Sequence, residues 1–530
     1  MSERAARIPL VRRGADISPR IAALLAILIC AAPAASVIAL AIGGPPIASD
    51  DVSLRLLRES VLGTLTLIAL GAGAATILGS VAALLVTLCN FPGRGVFAWL
   101  LALPLAAPVY VLAYAYSGLT WAGGPIPFPL TGVWGAAFVY AFGFFPYVFL
   151  AARAALASQS VSALEAARSL GARPLTAMWR VALPLARPGI VAGAALAAME
   201  VAADYGAAQH FGAATITTGI FRAWFSHGAP QLALQLAALL LIGAVAFLWV
   251  ERGARGRRGY ATPSRWRAPA RYDMPWWGAG LASIFCAMLL ILGALLPLAW
   301  LTRLMLLRPL ADFAELGGPL INSLSLAGAG GIATLALGAL VAAAARSGGG
   351  AGRFALYAAG AGYAAPGAVI ALGALTLFGL AREAGFVGGL GTVAALTLLA
   401  WTYAARFAAS ASQPIEAGLA RITKNISGAA RTLGAKPARR FFEIELPMAG
   451  PSVIAAALIV FVEILKELPA TLLLRPFDFD TLAVRAYAYA SDERLAQSAA
   501  PALMVTLAGL VPIYLFAKRL AMLRRDEAPP

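Results

Sequence analysis

Five charged residues lie within or directly after long apolar segments: Glu200, Asp204, Glu463, Lys466 and Glu467. A charge at mid-membrane costs roughly 2.5–3.5 kcal/mol even on lenient scales, so such groups face a bundle interior, a water-filled cavity or each other. Glu463 and Lys466 are three residues apart, a spacing that also allows an ion pair on one helix face. Paired carboxylates suit a hard cation, which prefers oxygen ligands. The pattern therefore predicts either a pathway for such a cation or a helix-locking ion pair.

Other residues capable of chemistry are few. The two histidines, His210 and His227, have no tight spacing, and the three cysteines, Cys30, Cys89 and Cys286, fall in or beside apolar runs. No Walker A pattern, metal-ligand cluster or Ser/His/Asp arrangement occurs in the sequence. We therefore predict no catalytic residue, no metal site and no cofactor bound by this chain.

The composition indicates a membrane protein. Of the 530 residues, 61% are hydrophobic and 12% are charged, against roughly 25% charged in soluble domains. The net charge of +17 is distributed in short clusters between apolar runs, which is typical of membrane loops and not of a nucleic-acid-binding face. A transmembrane helix needs roughly 20 apolar residues. Twelve such runs lie near 21–43, 62–88, 97–116, 132–152, 188–205, 231–250, 276–302, 320–345, 355–379, 388–410, 451–473 and 499–517.

The distribution of Lys and Arg predicts the orientation. With both termini in the cytoplasm, the inner segments hold 31 of the 41 Lys and Arg residues, as the positive-inside rule requires. An odd number of spans would break this alternation. The first run, with basic residues before it and small residues at Ala34-Ala35-Ser36, also resembles a cleaved signal peptide. Because the apolar stretch continues to about Ala41, we interpret it as a retained helix.

An internal repeat divides the chain into two modules. Ala106-Ala107-Pro108 recurs 258 residues later, and Leu183-Pro184 and Glu200 recur at an offset of 263. Both copies are predicted to start and end inside, so the repeat is parallel. The modules are predicted at 1–250 and 276–530, joined by the Arg- and Pro-rich cytoplasmic linker 251–275.

The longest inner loops, 153–187 and 411–450, share a helix–turn–helix pattern. In the first, Gly171 permits the φ > 0 turn that ends a helix, a second short helix is predicted from Pro174, and Leu183-Pro184 is expected to close it. An interfacial helix with lipid-binding Arg residues would give a similar pattern. The repetition in both halves favours a groove on a soluble partner instead.

These loops resemble the EAA loops of bacterial ABC importer permeases, in which the loop forms a coupling helix that docks on the ATPase subunit. The second loop has Gly428 where the motif has its glutamate, which implies weaker pairing with its ATPase copy. The resemblance predicts an all-α integral membrane protein with about 12 transmembrane helices in two fused six-helix modules of the type I, MetI-like kind. The positions that match the motif are Glu165, Ala166, Ala167, Gly171, Leu183, Pro184, Ala429, Ala430, Gly434, Leu446 and Pro447.

The segments that follow the loops, 203–225 and 466–477, resemble the fused permeases of ferric-iron ABC importers. Fused thiamine permeases share the architecture and are the alternative, and a secondary transporter fits the repeated loops less well. The resemblance implies a bacterial inner-membrane subunit that is not an enzyme. Its implied partners are two copies of an ATPase subunit that uses the ATP, a periplasmic binding protein and membrane lipid, with no nucleic acid.

Within this frame, the sequence predicts roles for the charged and outer segments. Glu200 and Glu463 are expected to face each other across the pseudo-twofold axis and to line the pathway. The outer loops 206–230 and 474–498 are expected to dock the binding protein. His210 and His227 are interpreted as loop residues, because a permease that receives its cargo from a binding protein needs no tight site of its own.

Overall fold

The computed structural model describes residues 17–44, 51–120, 124–157, 167, 169–171, 174–255, 271–307, 314–346 and 349–526. Nearly all of these residues are helical, as predicted. The helices of the first half are α1 (Ile17–Gly43), α2 (Asp51–Leu67), α3 (Gly73–Leu88), α4 (Arg94–Leu100), α5 (Val109–Thr120), α6 (Gly132–Ala157), α7 (Pro174–Ala177), α8 (Leu183–Ala203), α9 (Gly206–His210), α10 (Ile216–Phe221) and α11 (Pro230–Arg255).

The second half repeats this order. Its helices are α12 (Trp276–Leu290), α13 (Leu296–Leu306), α14 (Gly317–Arg346), α15 (Gly350–Ala364), α16 (Gly367–Glu383), α17 (Thr392–Ala420), α18 (Lys424–Thr432), α19 (Pro437–Arg439), α20 (Leu446–Met448), α21 (Gly450–Lys466), α22 (Pro469–Leu474), α23 (Leu482–Ser491) and α24 (Leu495–Asp526). Two strands of two residues each, β1 (Cys89–Asn90) and β2 (Tyr272–Asp273), pair in parallel where the linker joins the second half.

The number of spans agrees with the prediction of about twelve. In the described part of the chain, eight helices are long and apolar enough to cross a membrane, and three bent helix pairs bring the number to eleven. The last helix adds a shorter apolar stretch, Leu495–Leu510. The predicted spans 97–116 and 355–379 are wrong as single helices, because each is one of these bent pairs, with bends of 91° and 110°.

Both bends fall at the repeated Ala-Ala-Pro motif. Ala107 and Ala365, which precede Pro108 and Pro366, have extended backbone conformations. A proline removes a backbone donor and disfavours the helical conformation of the residue before it. The motif therefore encodes a break in the helix, and the apolar composition that predicted a span does not report it.

Two further boundaries differ from the prediction. Leu183-Pro184 does not close a separate segment, because the chain is helical without interruption from α7 through the π-helical turn Met178–Ala182 into α8, and Pro184 lies within this continuous helix. The predicted span 451–473 is also too long. The helix α21 ends at Lys466, and Glu467 has an extended backbone.

The first span of each half, α1 in the first half and α12 with α13 in the second, packs on the opposite half. Helix α1 packs against α14, α15, α16 and α17, where the Trp401 indole donates to the carbonyl oxygen of Ile29 at 3.0 Å. Helix α13 packs against α5, where the Tyr116 hydroxyl donates to the carbonyl oxygen of Leu292, in the turn before α13, at 2.5 Å. Because each half contributes its first span to the other, these contacts hold the two halves together at their interface.

Candidate functional site

The two halves enclose a cavity of about 350 Å³. Its walls come from α5, α6 and α8 of the first half and from α15, α17 and α21 of the second. All five charged residues that the sequence singled out line this cavity: Glu200, Asp204, Glu463, Lys466 and Glu467. Segments more than 250 residues apart in sequence therefore place their charges in one space.

Asp204 lies two residues before the short helix α9 on the first-half side. Its Oδ2 accepts hydrogen bonds from the backbone N–H groups of Ala207 at 2.9 Å and Ala208 at 3.1 Å. The Tyr140 hydroxyl, on α6, donates to the same oxygen at 2.8 Å. A carboxylate in this position satisfies donors at a helix start that have no partner within the helix.

Glu467 lies two residues before α22 on the second-half side. Its Oε1 accepts from the Ala470 N–H and its Oε2 from the Thr471 N–H, both at 3.1 Å. The Arg406 guanidinium, on α17, pairs with Oε1 at 2.5 Å. The Glu467 side chain is only 2% exposed, so this cation replaces the water that a buried carboxylate loses.

Lys466 does not form the ion pair with Glu463 that the spacing allowed. No ion pair joins these two side chains within the described residues. The Lys466 ammonium instead donates to the carbonyl oxygen of Leu105 in the other half, at 3.2 Å. Lys466 is therefore a contact between the halves, beside the bend of the first half.

Three further residues that line the cavity were not predicted from the sequence: Arg406, Tyr147 and Tyr363. Arg406 lies inside the predicted span 388–410. That position was the available signal, because an arginine inside a span indicates a polar interior. Tyr147 and Tyr363 carried no signal, since tyrosine is common in apolar segments.

The histidines lie away from the cavity lining. The His210 imidazole Nε2 is 2.7 Å from the Ser117 hydroxyl, and burial lowers the pKa of His210 to about 4. His210 is therefore neutral at physiological pH. His227 is exposed. In the described part of the chain, no group of three or more His, Cys, Asp or Glu residues is placed to hold a metal ion.

The first helix of each predicted coupling loop ends in a similar turn. Gly171 and Gly434 both have φ of +80°, the left-handed conformation that a glycine at a helix end supplies. The leucines just before them, Leu170 and Leu433, are 87% and 88% exposed. Each loop therefore presents an apolar side chain at its tip.

The structure describes more of the EAA-motif positions in the second loop than in the first. In the first loop, Glu165 and Ala166 lie outside the described residues, and Ala167 is helical. In the second loop, Ala429 and Ala430 lie on α18, Leu446 and Pro447 begin α20, and an 81° bend separates this segment from α21.

Comparison with known proteins gives matches over both halves. The family described as "Binding-protein-dependent transport system inner membrane component" matches residues 75–259 and 334–521. The Fe(3+)-transport system permease protein FbpB 2 of Haemophilus influenzae is 27% identical over 451 residues, which cover 83% of this chain and 86% of that protein. The molybdenum transport system permease protein ModB of Escherichia coli is 30% identical over 193 residues, 32% of this chain and 83% of ModB.

A third relative matches over a shorter stretch. The sulfate transport system permease protein CysT of Synechococcus elongatus is 36% identical over 116 residues, 20% of this chain and 42% of that protein. All three relatives are named as transport permeases. The prediction of a transport subunit, and not an enzyme, is confirmed.

Proposed function

The chain belongs to the family of binding-protein-dependent transport system inner membrane components, and on that premise we propose that it moves ferric iron. It is the multi-pass permease of an ABC importer, with both modules fused in one chain. The iron permease of Haemophilus influenzae matches across both halves, whereas the molybdenum permease matches about a third of the chain. Fused organisation and extent of similarity therefore both favour iron.

The cavity between the halves is the observation that carries this proposal. Four carboxylates line it against two cations, Arg406 and Lys466, so acidic groups are in excess. The phenol groups of Tyr147 and Tyr363 line the same space. Hard cations prefer oxygen ligands, and a passage needs such groups without a complete, tight site. In this proposal, Glu200 and Glu463 face the passing ion from opposite halves.

The driving force comes from two copies of an ATPase subunit, one on each coupling loop. The exposed Leu170 and Leu433 provide an apolar contact at equivalent places. Closure of the ATPase dimer moves both loops and rocks the halves between inward-open and outward-open states. Coupling requires that the loops contact the ATPase differently in the two states, because equal docking in both would shift nothing. This arrangement has both termini in the cytoplasm.

The opposite face receives the periplasmic binding protein on the loops 206–230 and 474–498. In the second of these, Phe477 is fully exposed beside Asp480, which forms ion pairs with Arg475 and Arg485. An exposed aromatic side chain on a loop held by ion pairs is a suitable contact for a protein partner. The binding protein thus supplies selectivity before the ion enters the cavity.

Uptake measurements test the cargo. The double variant Glu200→Gln/Glu463→Gln removes two cavity charges and keeps the side-chain size. In cells that depend on this transporter, it is expected to lose most uptake of radioactive iron while ATPase co-purification is retained. The matched control is Glu59→Gln/Glu383→Gln, which neutralises two exposed carboxylates outside the cavity.

The same assay decides between cargoes. Wild-type uptake of thiamine, with no uptake of iron, would contradict the ferric-iron proposal and establish the alternative. Undiminished iron uptake by the cavity variant would remove Glu200 and Glu463 from the pathway.

A further inference from the structure

A buried carboxylate lies at the base of the second coupling loop. Glu445, 1% exposed, ends the helical turn 440–445 that follows α19. Its Oε2 accepts from the Arg346 Nε at 2.9 Å, and its Oε1 accepts from the Ser427 hydroxyl at 2.6 Å. The Arg440 Nε lies 3.3 Å from Oε1 as an ion pair. A carboxylate so deeply buried is retained only where such partners replace water.

Arg346 connects this carboxylate to three other elements. It is the last residue of α14. Its Nη1 donates to the carbonyl oxygen of Leu419 at the end of α17, at 2.8 Å, and its Nη2 to the Ser427 hydroxyl on α18, at 3.2 Å. The guanidinium holds its donors in one rigid plane. One side chain therefore joins the ends of α14 and α17 to the coupling helix α18.

Among the residues that the structure describes, the first half shows no counterpart of this cluster. At the repeat offset of 263 residues, Ala182 is at the position equivalent to Glu445, and Ala177 is at the position equivalent to Arg440. Both alanines are buried. At the offset of 258, Leu88, the last residue of α3, stands for Arg346. The loop surface shows the reverse difference in sequence, with Glu165 in the first loop and Gly428 in the second.

Helix α17 extends from this cluster to the cavity. Leu419 accepts from Arg346 at one end, and Arg406 pairs with Glu467 further along the helix. The two contacts are 13 residues apart in one helix, or about 20 Å at 1.5 Å per residue. A continuous series of bonded groups therefore connects α18 with the cavity wall.

We propose that Glu445, Arg346 and Ser427 form an internal coupling hub of the second half. The hub makes α18 move as one body with α14 and α17, although Gly428 brings no carboxylate to the loop surface. Glu445 is a positioning residue, because it acts through the helices and not on the cargo. This proposal rests on the proposed function, in which α18 transmits the motion of an ATPase subunit.

The test uses the whole transporter, with ATPase subunits and binding protein, in proteoliposomes. Glu445→Ala is compared with Glu383→Gln, which neutralises an exposed carboxylate outside the coupling loops and the cavity. ATP hydrolysis and iron uptake are measured together. For Glu445→Ala, ATPase subunits are expected to co-purify and hydrolyse ATP, while uptake per ATP falls at least about fivefold, the lower end of typical coupling between sites. Glu383→Gln is expected to match the wild type.

A second, milder variant keeps the test valid if Glu445→Ala does not fold. Glu445→Gln keeps an acceptor oxygen for Ser427 and is expected to lose uptake per ATP in the same direction, by a smaller factor. A wild-type ratio of uptake to ATP in a folded Glu445 variant would overturn the hub. Failure of the wild-type chain to bind any ATPase subunit would instead overturn the proposed function, so the two failures are distinguishable.

Discussion

Asp204 and Glu467 occupy equivalent positions in the two halves, 263 residues apart, and each lies between a cavity-lining span and the short helix that follows it. Both accept N–H bonds from the backbone three and four residues ahead. Their other partners differ, because Asp204 has the neutral Tyr140 and Glu467 has the cation Arg406. Gly143 stands at the first-half position that corresponds to Arg406.

The shared feature is a helix cap, which any helix start at this place requires. The ion pair is confined to one half. The two halves therefore share the carboxylate that caps the short helix but differ in the charges that face the cavity. This difference makes the cavity electrostatically asymmetric.

The largest expected effect comes from Arg406→Ala, which leaves Glu467 buried without its cation. Removing one partner of a buried pair costs about 3–5 kcal/mol of unfolding free energy. Denaturant titration of the protein in detergent measures this loss. Exposed Arg382→Ala is the control and is expected to be neutral. Equal stability of the two variants would show that Glu467 needs no cation.

Neutralising the two capping carboxylates sharpens the comparison. Glu467→Gln leaves Arg406 unpaired and is expected to cost about 3 kcal/mol. Asp204→Asn keeps an acceptor oxygen and leaves no cation unpaired, so its unfolding free energy is expected to fall by about 1 kcal/mol. The same denaturant titration measures both, and a larger loss for Asp204→Asn would reverse our assignment of the asymmetry.

The equivalent tyrosines give a smaller contrast. Tyr140 donates to a carboxylate, whereas Tyr403 bonds the Thr471 hydroxyl at 2.7 Å. Hydrogen bonds to charged groups contribute about 1.5–3 kcal/mol and neutral ones about 0.5–1.5. Tyr140→Phe is therefore expected to lower the unfolding free energy more than Tyr403→Phe. Identical losses would indicate that Asp204 is protonated in the folded protein.

The smallest effect concerns the glycine that distinguishes the second loop. A Cβ at Gly428 would meet no atom within 4 Å, and alanine in a helix is more stable than glycine by roughly 0.5–1 kcal/mol. Gly428→Ala is expected to raise the melting temperature slightly. Gly434→Ala, with φ of +80°, is expected to lower it. A decrease for both would mean that α18 needs the glycine for another reason.

Much of the architecture could be predicted because its signals are local. The length of the apolar runs predicted about twelve spans. The glycine after the first helix of each coupling loop, Gly171 and Gly434, predicted a left-handed turn. The cost of burying charge drew attention to the five residues that the structure brings to one cavity. Their role in transport stays a proposal.

Other features escaped prediction for a physical reason. The breaks at Ala107 and Ala365 are invisible to hydropathy, since a bent pair is as apolar as a straight helix. The ion pair between Glu463 and Lys466, one of the two alternatives that their spacing allowed, is absent from the described residues. Helical spacing permits such a contact but does not show which other groups compete for the ammonium, and Lys466 donates instead to the Leu105 carbonyl oxygen in the other half.

The amino-acid sequence by itself determined a duplicated, lipid-embedded helical protein with a coupling-type loop in each half. The length of the apolar runs, the distribution of Lys and Arg and the repeated motifs are properties of the sequence, and they can be recognised without knowing which helices pack together. Only the tertiary structure decided that α1 packs on the opposite half, that Arg406 neutralises Glu467, and that Glu445 joins α18 to the membrane helices. These contacts depend on which surfaces meet, and no spacing within one segment encodes that choice.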